Sequence, residues 1–505
     1  MFNFCILPMG IIPGAPLKLY RTAHKIGSPG KFISFTITLL TCFLFNQGFA
    51  QQPAISWTQP FTTKGNFTYT GLQDSNLVVI QNRSNKEVVS RSFTPALTVA
   101  KETSTTYVST GEPASYLISF ISDSGLAHIR YQYDKKKDQI AISGERPGKI
   151  QLLATMKANL QSFIYAVYSG DRSKLLICNF YFRRKEAKVE REFIVLSTST
   201  GQVFHSGTFT YNFSTETSDE IQVDNVGNAY FESASYQRTG SKLSGKSRAT
   251  QHVTVFSPNG RSVVFTIDFP GSYIPGVDII QEQHNAVYIG GLAYDEATRA
   301  TRISSADLFL YRIDSERLLY TDSVYVTVNG LYQEGRLDEN DRLPYTIRHI
   351  YEKKSGELVV IAEQYQRTFN QYSSSEKYHD ISCIRLNSDH SFGSLIRIPK
   401  LQAGVDNPSI ISTFIHEKVF LFYNDLQENL DVTGEMVKYV ANKKEKNGLF
   451  LITIDPDFRF KKELLYGYDS GQPMPVLKAG YAIDNRTIFL CSEEQVGLLK
   501  IPVRE

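Results

Sequence analysis

Five times the chain repeats one arrangement: a strand, a tight turn, a short apolar strand, a variable loop, then a hairpin. The apolar strands read KLLICNFY (174–181), NAYFESASY (228–236), NAVYIGGLAY (285–294), ELVVIAEQY (357–365) and KVFLFY (418–423). The hairpins that follow turn near Ser197, Ser257, Asp314, Asn387 and Asp455, so the unit recurs every 57 to 73 residues. Each unit supplies four strands, which is the content of a propeller blade, whereas a β-helix coil is far shorter. Runs rich in Val, Ile, Tyr, Phe and Thr, bounded by Gly, Asn, Asp or Ser, suit pleated and half-buried strands. No long helical periodicity interrupts them.

The expected fold is therefore all-β: a β-propeller of about seven four-stranded blades, with six or eight left open and a pair of β-sandwich domains as the alternative. The number comes from dividing roughly 450 residues by the repeat spacing. Two earlier hairpins, around Arg83 and Lys136, fit the series less clearly. The C-terminal piece, VLKAGYAI, RTIFLCSEE and QVGLLKIPV, offers only three strands. A strand from the other end of residues 51–505, within ISWTQPF (55–61), is expected to complete it, because closure leaves no open sheet edge.

Residues 1–50 read as a signal segment. Phe32 to Phe45 is uncharged and apolar, Lys25 and Lys31 precede it, and Gly48-Phe49-Ala50 follows with small residues at the −3 and −1 positions. Fourteen residues span about 21 Å as a helix, short of the roughly 30 Å hydrocarbon core, so a retained anchor is the weaker reading. The expected location is outside the cytoplasm: periplasm, cell surface or extracellular. The formal net charge of +3 arises in that leader, which holds Lys18, Arg21, Lys25 and Lys31 and no acid. The rest is nearly neutral, which argues against nucleic acid or an anionic membrane as a partner. Cys178, Cys383 and Cys491 are odd in number and sit in strand-like runs, so buried free thiols are expected rather than a disulfide framework.

Trp57 is the only tryptophan, so the WD repeat is absent; the kelch double glycine occurs once, at Gly290-Gly291, and no intact Asp-box is found. AEQYQ (362–366), YHDISCIRLNSDHSFGSLIRIPKLQ (378–402), VFLFYNDLQENLD (419–431) and GLFLITIDPDF (448–458) resemble a group of exported, propeller-like proteins of unknown function from Bacteroidetes. The resemblance is good over roughly 343–466 and vague before 160. It implies a propeller and export, and it carries no activity or site residues.

Gly240 to Ser247 satisfies GxxxxGK[ST], but a phosphate-cradling loop needs a helix leading out, and RATQHVTVFSPNG reads as a strand. There is no GxSxG elbow, and none of the eight histidines after the leader stands in a zinc-ligand spacing. Asp338-Glu339-Asn340-Asp341 lacks the glycine and distal glutamate of a calcium loop. No cofactor or metal is expected. The sequons at Asn66, Asn82, Asn212 and Asn485 matter only in a eukaryotic secretory route. The basic stretch ANKKEKNG (441–448) belongs to a long insertion beginning at Asn424, of the kind that is more often functional than connective.

The leading functional expectation is a non-catalytic binding or scaffolding protein of the cell envelope, taking a glycan, peptide or protein on one face of the ring. The alternative is a hydrolase or lyase on an extracellular polymer, with Glu363, Asp425 and Glu493 as candidate acid and base. The candidate ligand-binding residues follow the ends of the second strands: Tyr181 with Arg183 and Arg184, Tyr236 with Arg238, Tyr294, Tyr365 with Arg367, and Tyr423 with Asn424 and Asp425. Tyrosine rings and arginine forks suit stacking on sugars or gripping carboxylates. The competing expectation is that these rings pack between blades.

Overall fold

The computed structural model describes residues 53–502 apart from short stretches, the longest being 296–304, 332–343 and 432–445. The leader, the acidic run 338–341 and most of the 424–448 insertion therefore lie outside the described residues. The described chain forms eight antiparallel sheets, each the blade of a β-propeller. Their inner strands are Asn66–Gln73 in blade 1, Ser115–Ser122 in blade 2 and Phe163–Tyr168 in blade 3. Blades 4 to 8 follow with Ile221–Val223, Ile279–Gln283, Tyr345–Glu352, Ile411–Ile415 and Tyr481–Ala482.

Eight is the upper of the numbers the repeat spacing left open. Blades 1, 2 and 3 start at Asn66, Ser115 and Phe163, closer together than the later turns. The hairpins at Arg83 and Lys136 also differ in kind. They join second to third strands, Asn76–Ser84 to Glu87–Phe93 and Gly125–Asp134 to Gln139–Arg146. The later hairpins join third to fourth strands. In the first two blades the second-to-third connection is tight as well as the third-to-fourth, where Thr94 N–H donates to the Thr98 carbonyl at 2.9 Å in blade 1, so an extra hairpin precedes the one the later blades share.

Hairpin turns are set by short polar side chains that bond their own backbone. Asp314 Oδ1 accepts from the N–H groups of Glu316 and Arg317 at 2.9 and 2.8 Å. Asp455 Oδ1 does the same for Arg459 at 2.8 Å. At SPNG and KSGE the closing glycines, Gly260 and Gly356, take φ of 82° and 83°, where a side chain would be strained. Gly290 does not mark a kelch repeat: a Cβ there would run into the Leu310 side chain and the Phe309 carbonyl on the neighbouring strand. The GxxxxGK[ST] match is also structural, since Lys246–Phe256 leads out of it as a strand paired to Ala229–Thr239.

Blade 8 takes its outer strand from the other end of the chain: Ala54–Trp57 pairs antiparallel with Val496–Lys500. Thr58 continues the junction, donating to the Val496 carbonyl at 2.9 Å. Apolar side chains on both faces of each blade pack against the next blade. The junction of blades 6, 7 and 8 is the largest such core, with Ile381, Ile398, Phe422 and Phe450 among its buried residues. At the seam of blades 1 and 2 a small apolar cluster is described, with Ile80 and Val88 fully buried against partly buried Tyr116 and Leu126. Cys178, Cys383 and Cys491 are buried free thiols within strands. Burial pushes the Cys178 and Cys491 thiols up to about 12. Among the described residues no helix is long and apolar enough to cross a membrane.

Polar side chains close the seam of blades 5 and 6 at its inner edge. Gln281 Nε2 donates to the Ile350 carbonyl at 2.9 Å while its Oε1 accepts from the Ile350 N–H at 2.9 Å. Gln283 Oε1 accepts from Glu352 N–H at 3.1 Å, and its amide also reaches the Ile350 carbonyl. Two glutamines thus imitate a strand ladder between two sheets. Higher in the seam, Asp278 Oδ2 accepts from Ile347 N–H at 3.1 Å and Leu292 N–H at 3.3 Å. Desolvation raises the Asp278 carboxyl to about 7 against those two bonds.

A folded-state value above the unfolded one means stability that is full below about pH 4 and lost as pH rises through about 7. Asp278→Asn keeps an acceptor and has no proton to lose. The variant should gain on the wild type by about 3 kcal/mol between pH 4 and pH 8. Urea unfolding at the two pH values checks this; a difference that does not move with pH would refute it.

Candidate functional site: the axial cavity

The inner strands leave a cavity of about 2000 Å³ along the ring axis, walled by residues of all eight blades. Ligand pockets for single small molecules are typically about 300–1,000 Å³, so this space suits a larger or extended occupant. Its wall includes the turns that follow the inner strands, and these turns link blade to blade. Asn225 Oδ1 in blade 4 accepts from Asp171 N–H in blade 3 at 2.9 Å, and Asn225 N–H donates to Glu282 Oε2 in blade 5 at 2.6 Å. His284 Nδ1 lies 3.7 Å from Glu352 Oε2 in blade 6. Lys354 N–H donates to Glu417 Oε1 in blade 7 at 3.4 Å.

One side of the wall is built around Arg172. The turn Ser169–Lys174 holds it with φ of 62°, and Asp171 Oδ1 fastens that turn by accepting from Ser173 N–H and Ser169 Oγ, each at 2.8 Å. The guanidinium carbon lies 4.1 Å from the centre of the Tyr168 ring, 5.0 Å from Tyr69 in blade 1 and 4.8 Å from Tyr481 in blade 8. Nη2 donates to the Tyr69 carbonyl at 3.1 Å. Tyr69 and Tyr481 stack with centroids 5.2 Å apart. Desolvation raises the Tyr168 hydroxyl to about 12, against the lowering effect of Arg172. On the far wall, Tyr351 of blade 6 stacks on Phe414 of blade 7 at 5.3 Å and on His349 at 6.0 Å. The Tyr351 hydroxyl is held 2.7 Å from Ser412 Oγ.

Asp224, Glu282 and Glu417 of the wall accept from neighbouring donors, whereas Glu352 Oε2 is buried with no hydrogen-bond partner. Asp224 accepts from the N–H groups of Gly227 and Asn228, from Asn228 Nδ2 and from the Tyr230 hydroxyl, at 2.7–2.8 Å. Glu282 is raised to about 7, chiefly by desolvation and further by the neighbouring Asp224 and Asp171 carboxyls. Among the described residues Arg172 and Arg312, both in the wall, have no carboxylate within ion-pair distance, and the Nε of each is buried without a partner.

Among the residues chosen from the sequence, those with described side chains do not line this cavity. They sit at the opposite ends of the blades from the turns after the inner strands, as antiparallel strand order requires. Tyr423 is fully buried, stacked on Phe450 at 5.5 Å, and Asn424 and Asp425 are buried with it. Asp425 Oδ1 accepts from Asn429 Nδ2 at 2.7 Å, and burial raises its carboxyl to about 6. No ligand can reach these three in the structure described.

Tyr181 and Tyr365 are half-buried. Tyr365 lies 4.8 Å from Tyr378 and 4.9 Å from the Arg348 guanidinium. Arg183 is paired with Glu190 and, at 3.3 Å, with Glu186. The side chains of Arg184, Tyr236, Arg238, Tyr294 and Arg367 lie outside the described residues. Of the carboxylates chosen, Glu363 is fully buried against Lys400 and Arg348, while Glu493 is exposed.

Two surface aromatics escaped the sequence reading. Phe163 and Tyr165, on the inner strand of blade 3, are 40% and 49% exposed and meet edge to face at 5.2 Å. Their signal was the unusual aromatic alternation of FIYAVY, which reads as an ordinary half-buried strand.

Fold and cavity together define the chain as an eight-bladed β-propeller with a polar, aromatic-walled axial space. No protein-family model and no curated protein sequence matches it. Among solved structures it is similar to the WD40 domain of SCAP from fission yeast, at 10% identity and TM-score 0.37, covering 89% of this chain and 98% of that one. It is also similar to an oligogalacturonate lyase from Vibrio parahaemolyticus, at 9% identity and TM-score 0.37, covering 90% and 98%.

Proposed function

We propose that the protein is an exported, non-catalytic binding or scaffolding protein of the cell envelope, and that its partner, a glycan, peptide or protein segment, is held at the axial cavity. The observation that carries the reading is the make-up of the wall: tyrosine, phenylalanine and histidine rings line the space, while Asp224 and Glu282 are bound to backbone and side-chain donors. Aromatic faces with a few fixed polar groups suit recognition. The apolar leader Phe32–Phe45 supports export, as does the resemblance to exported propeller-like proteins.

The alternative, a hydrolase or lyase, has one observation in its favour. Glu282, near 7, could hold a proton beside the cavity. Hydrolytic carboxylates work as facing pairs roughly 5–9.5 Å apart with one free to act, and Asp224 beside Glu282 is fully occupied by four donors.

Glycan and peptide arrays probed with the wild type and with Tyr351→Ala/Phe414→Ala test the reading. Binding by the wild type that falls at least tenfold in the double variant, with no shortening of the bound polymer, is the expected result. Release of new reducing or unsaturated ends, abolished by Glu282→Gln, would replace it with the enzymatic reading.

A further inference from the structure

We infer that the occupant of the axial cavity is an acidic saccharide, with a carboxylate seated against Arg172 and the adjoining sugar ring against the tyrosines around it; this rests on the cavity being the binding site. A guanidinium in a protein wall is normally balanced by a nearby acid, because an isolated charge out of bulk water is costly. Arg172 has three aromatic rings and one carbonyl for company, and no acid among the described residues. Arg312, across the wall, has no carboxylate within ion-pair distance among the described residues; its Nε is buried without a partner, and it shares the Tyr288 hydroxyl with Glu352.

The acids nearest Arg172 do not balance it. Asp224 is tied to its own turn. Glu282, raised to about 7, carries only about half a charge at pH 7. Glu352 and Glu417 lie on other turns of the wall, beside His284 and the Lys354 N–H. Lys354 and Arg486 add further positive charge to the same wall. At Arg172 the space thus offers a guanidinium with no carboxylate in ion-pair reach, and it has room for a chain.

Ring faces choose the class of anion. A uronate residue carries its carboxylate directly on a pyranose whose C–H face stacks on an aromatic ring, so one sugar can use a guanidinium and a tyrosine together. At Arg172 the rings lie 4.1–5.0 Å from the charge, within the breadth of one sugar. An acidic peptide places each carboxylate on a flexible arm with no ring beside it, and pays rotamer entropy for every contact.

Calorimetric titration with a hexauronate, a neutral hexasaccharide and hexaglutamate tests the inference. The expected result is binding of the hexauronate at least tenfold tighter than either other probe, weakened at least tenfold by Arg172→Gln and several-fold by Arg312→Gln. Thermal melts of both variants are read alongside. Arg172→Gln also loosens a turn, so Arg312→Gln, which leaves the tyrosine cage untouched, keeps the test decisive if the first variant melts early.

Equal binding of the neutral sugar, or wild-type affinity in Arg312→Gln, would overturn the acidic ligand while leaving the cavity as a binding site. Preference for hexaglutamate would overturn the saccharide and make the partner an acidic peptide. Hexauronate binding undiminished by Tyr351→Ala/Phe414→Ala and by both arginine variants would overturn the cavity as the site.

Discussion

Replacing Glu363 by alanine is expected to lower the unfolding free energy by about 3–5 kcal/mol, because it strands a positive charge in the interior. Glu363 and Lys400 are both fully enclosed, and their side chains are in direct contact. Arg348 Nε donates to the other carboxylate oxygen at 3.0 Å. Without Glu363 the Lys400 ammonium keeps only the more distant Asp425. Desolvation already holds Lys400 below the ordinary lysine value even with its partner present. Glu363→Ala/Lys400→Met removes both charges and should recover most of the loss, since burying no ions is often as stable as burying a pair. Urea unfolding of the single and double variants decides it. A single-variant loss under about 1 kcal/mol, or a double variant no better than the single, would show that the pair is not what holds this junction. The same burial removes Glu363 from any role as catalytic acid.

Deleting residues 54–57 should cost on the order of 4 kcal/mol, from re-exposing Ile55 and Trp57, and should also change the association state. These residues are the outer strand of blade 8, laid along Val496–Lys500. The Trp57 ring lies over Gly497, where even a Cβ would come within 2.7 Å of it. Thr58 Oγ1 and carbonyl take further bonds from Val496 N–H and Gln495 Nε2, at 3.2 and 2.7 Å. Stripped of that strand, Val496–Lys500 becomes a bare edge with Leu498 and Leu499 on it, a template for pairing between molecules. Light scattering after size exclusion should show species larger than those the intact chain forms under the same conditions. A monomer with an unchanged unfolding midpoint would mean that the ring does not depend on this closure.

The propeller was legible because each later blade repeats the same two signals: an apolar second strand and a polar turn between the third and fourth. Blades 1 and 2 were obscured by an additional tight turn between second and third strands, at Arg83 and Lys136, where blades 5 and 7 carry longer connections. The cavity was not legible at all. Inner strands such as Ile221–Val223 and Tyr481–Ala482 are two or three residues long. Such strands carry no periodicity, and the residues that matter most, Arg172 and Glu282, lie in turns or at strand ends.

Of the second-strand tyrosines, Tyr423 is a packing residue, enclosed by Phe450 and the Lys462 ammonium, while Tyr181 and Tyr365 are half-buried. A sequence registers that a ring recurs. It does not register which side of a blade the ring faces, and that depends on neighbours contributed by the next repeat.

Opposite seams of the ring are joined by different chemistry. Around blades 5 and 6 the glutamine ladder holds neighbouring inner strands in register. Between blades 1 and 2 the described core is apolar, Ile80 and Val88 against Tyr116 and Leu126. Arg172 is rooted in blade 3 and reaches past blade 2 to tyrosines of blades 1 and 8, which makes it a tie across that arc. An anion bound at this guanidinium therefore meets a side chain shared by three blades, and any shift of that tie enters its affinity.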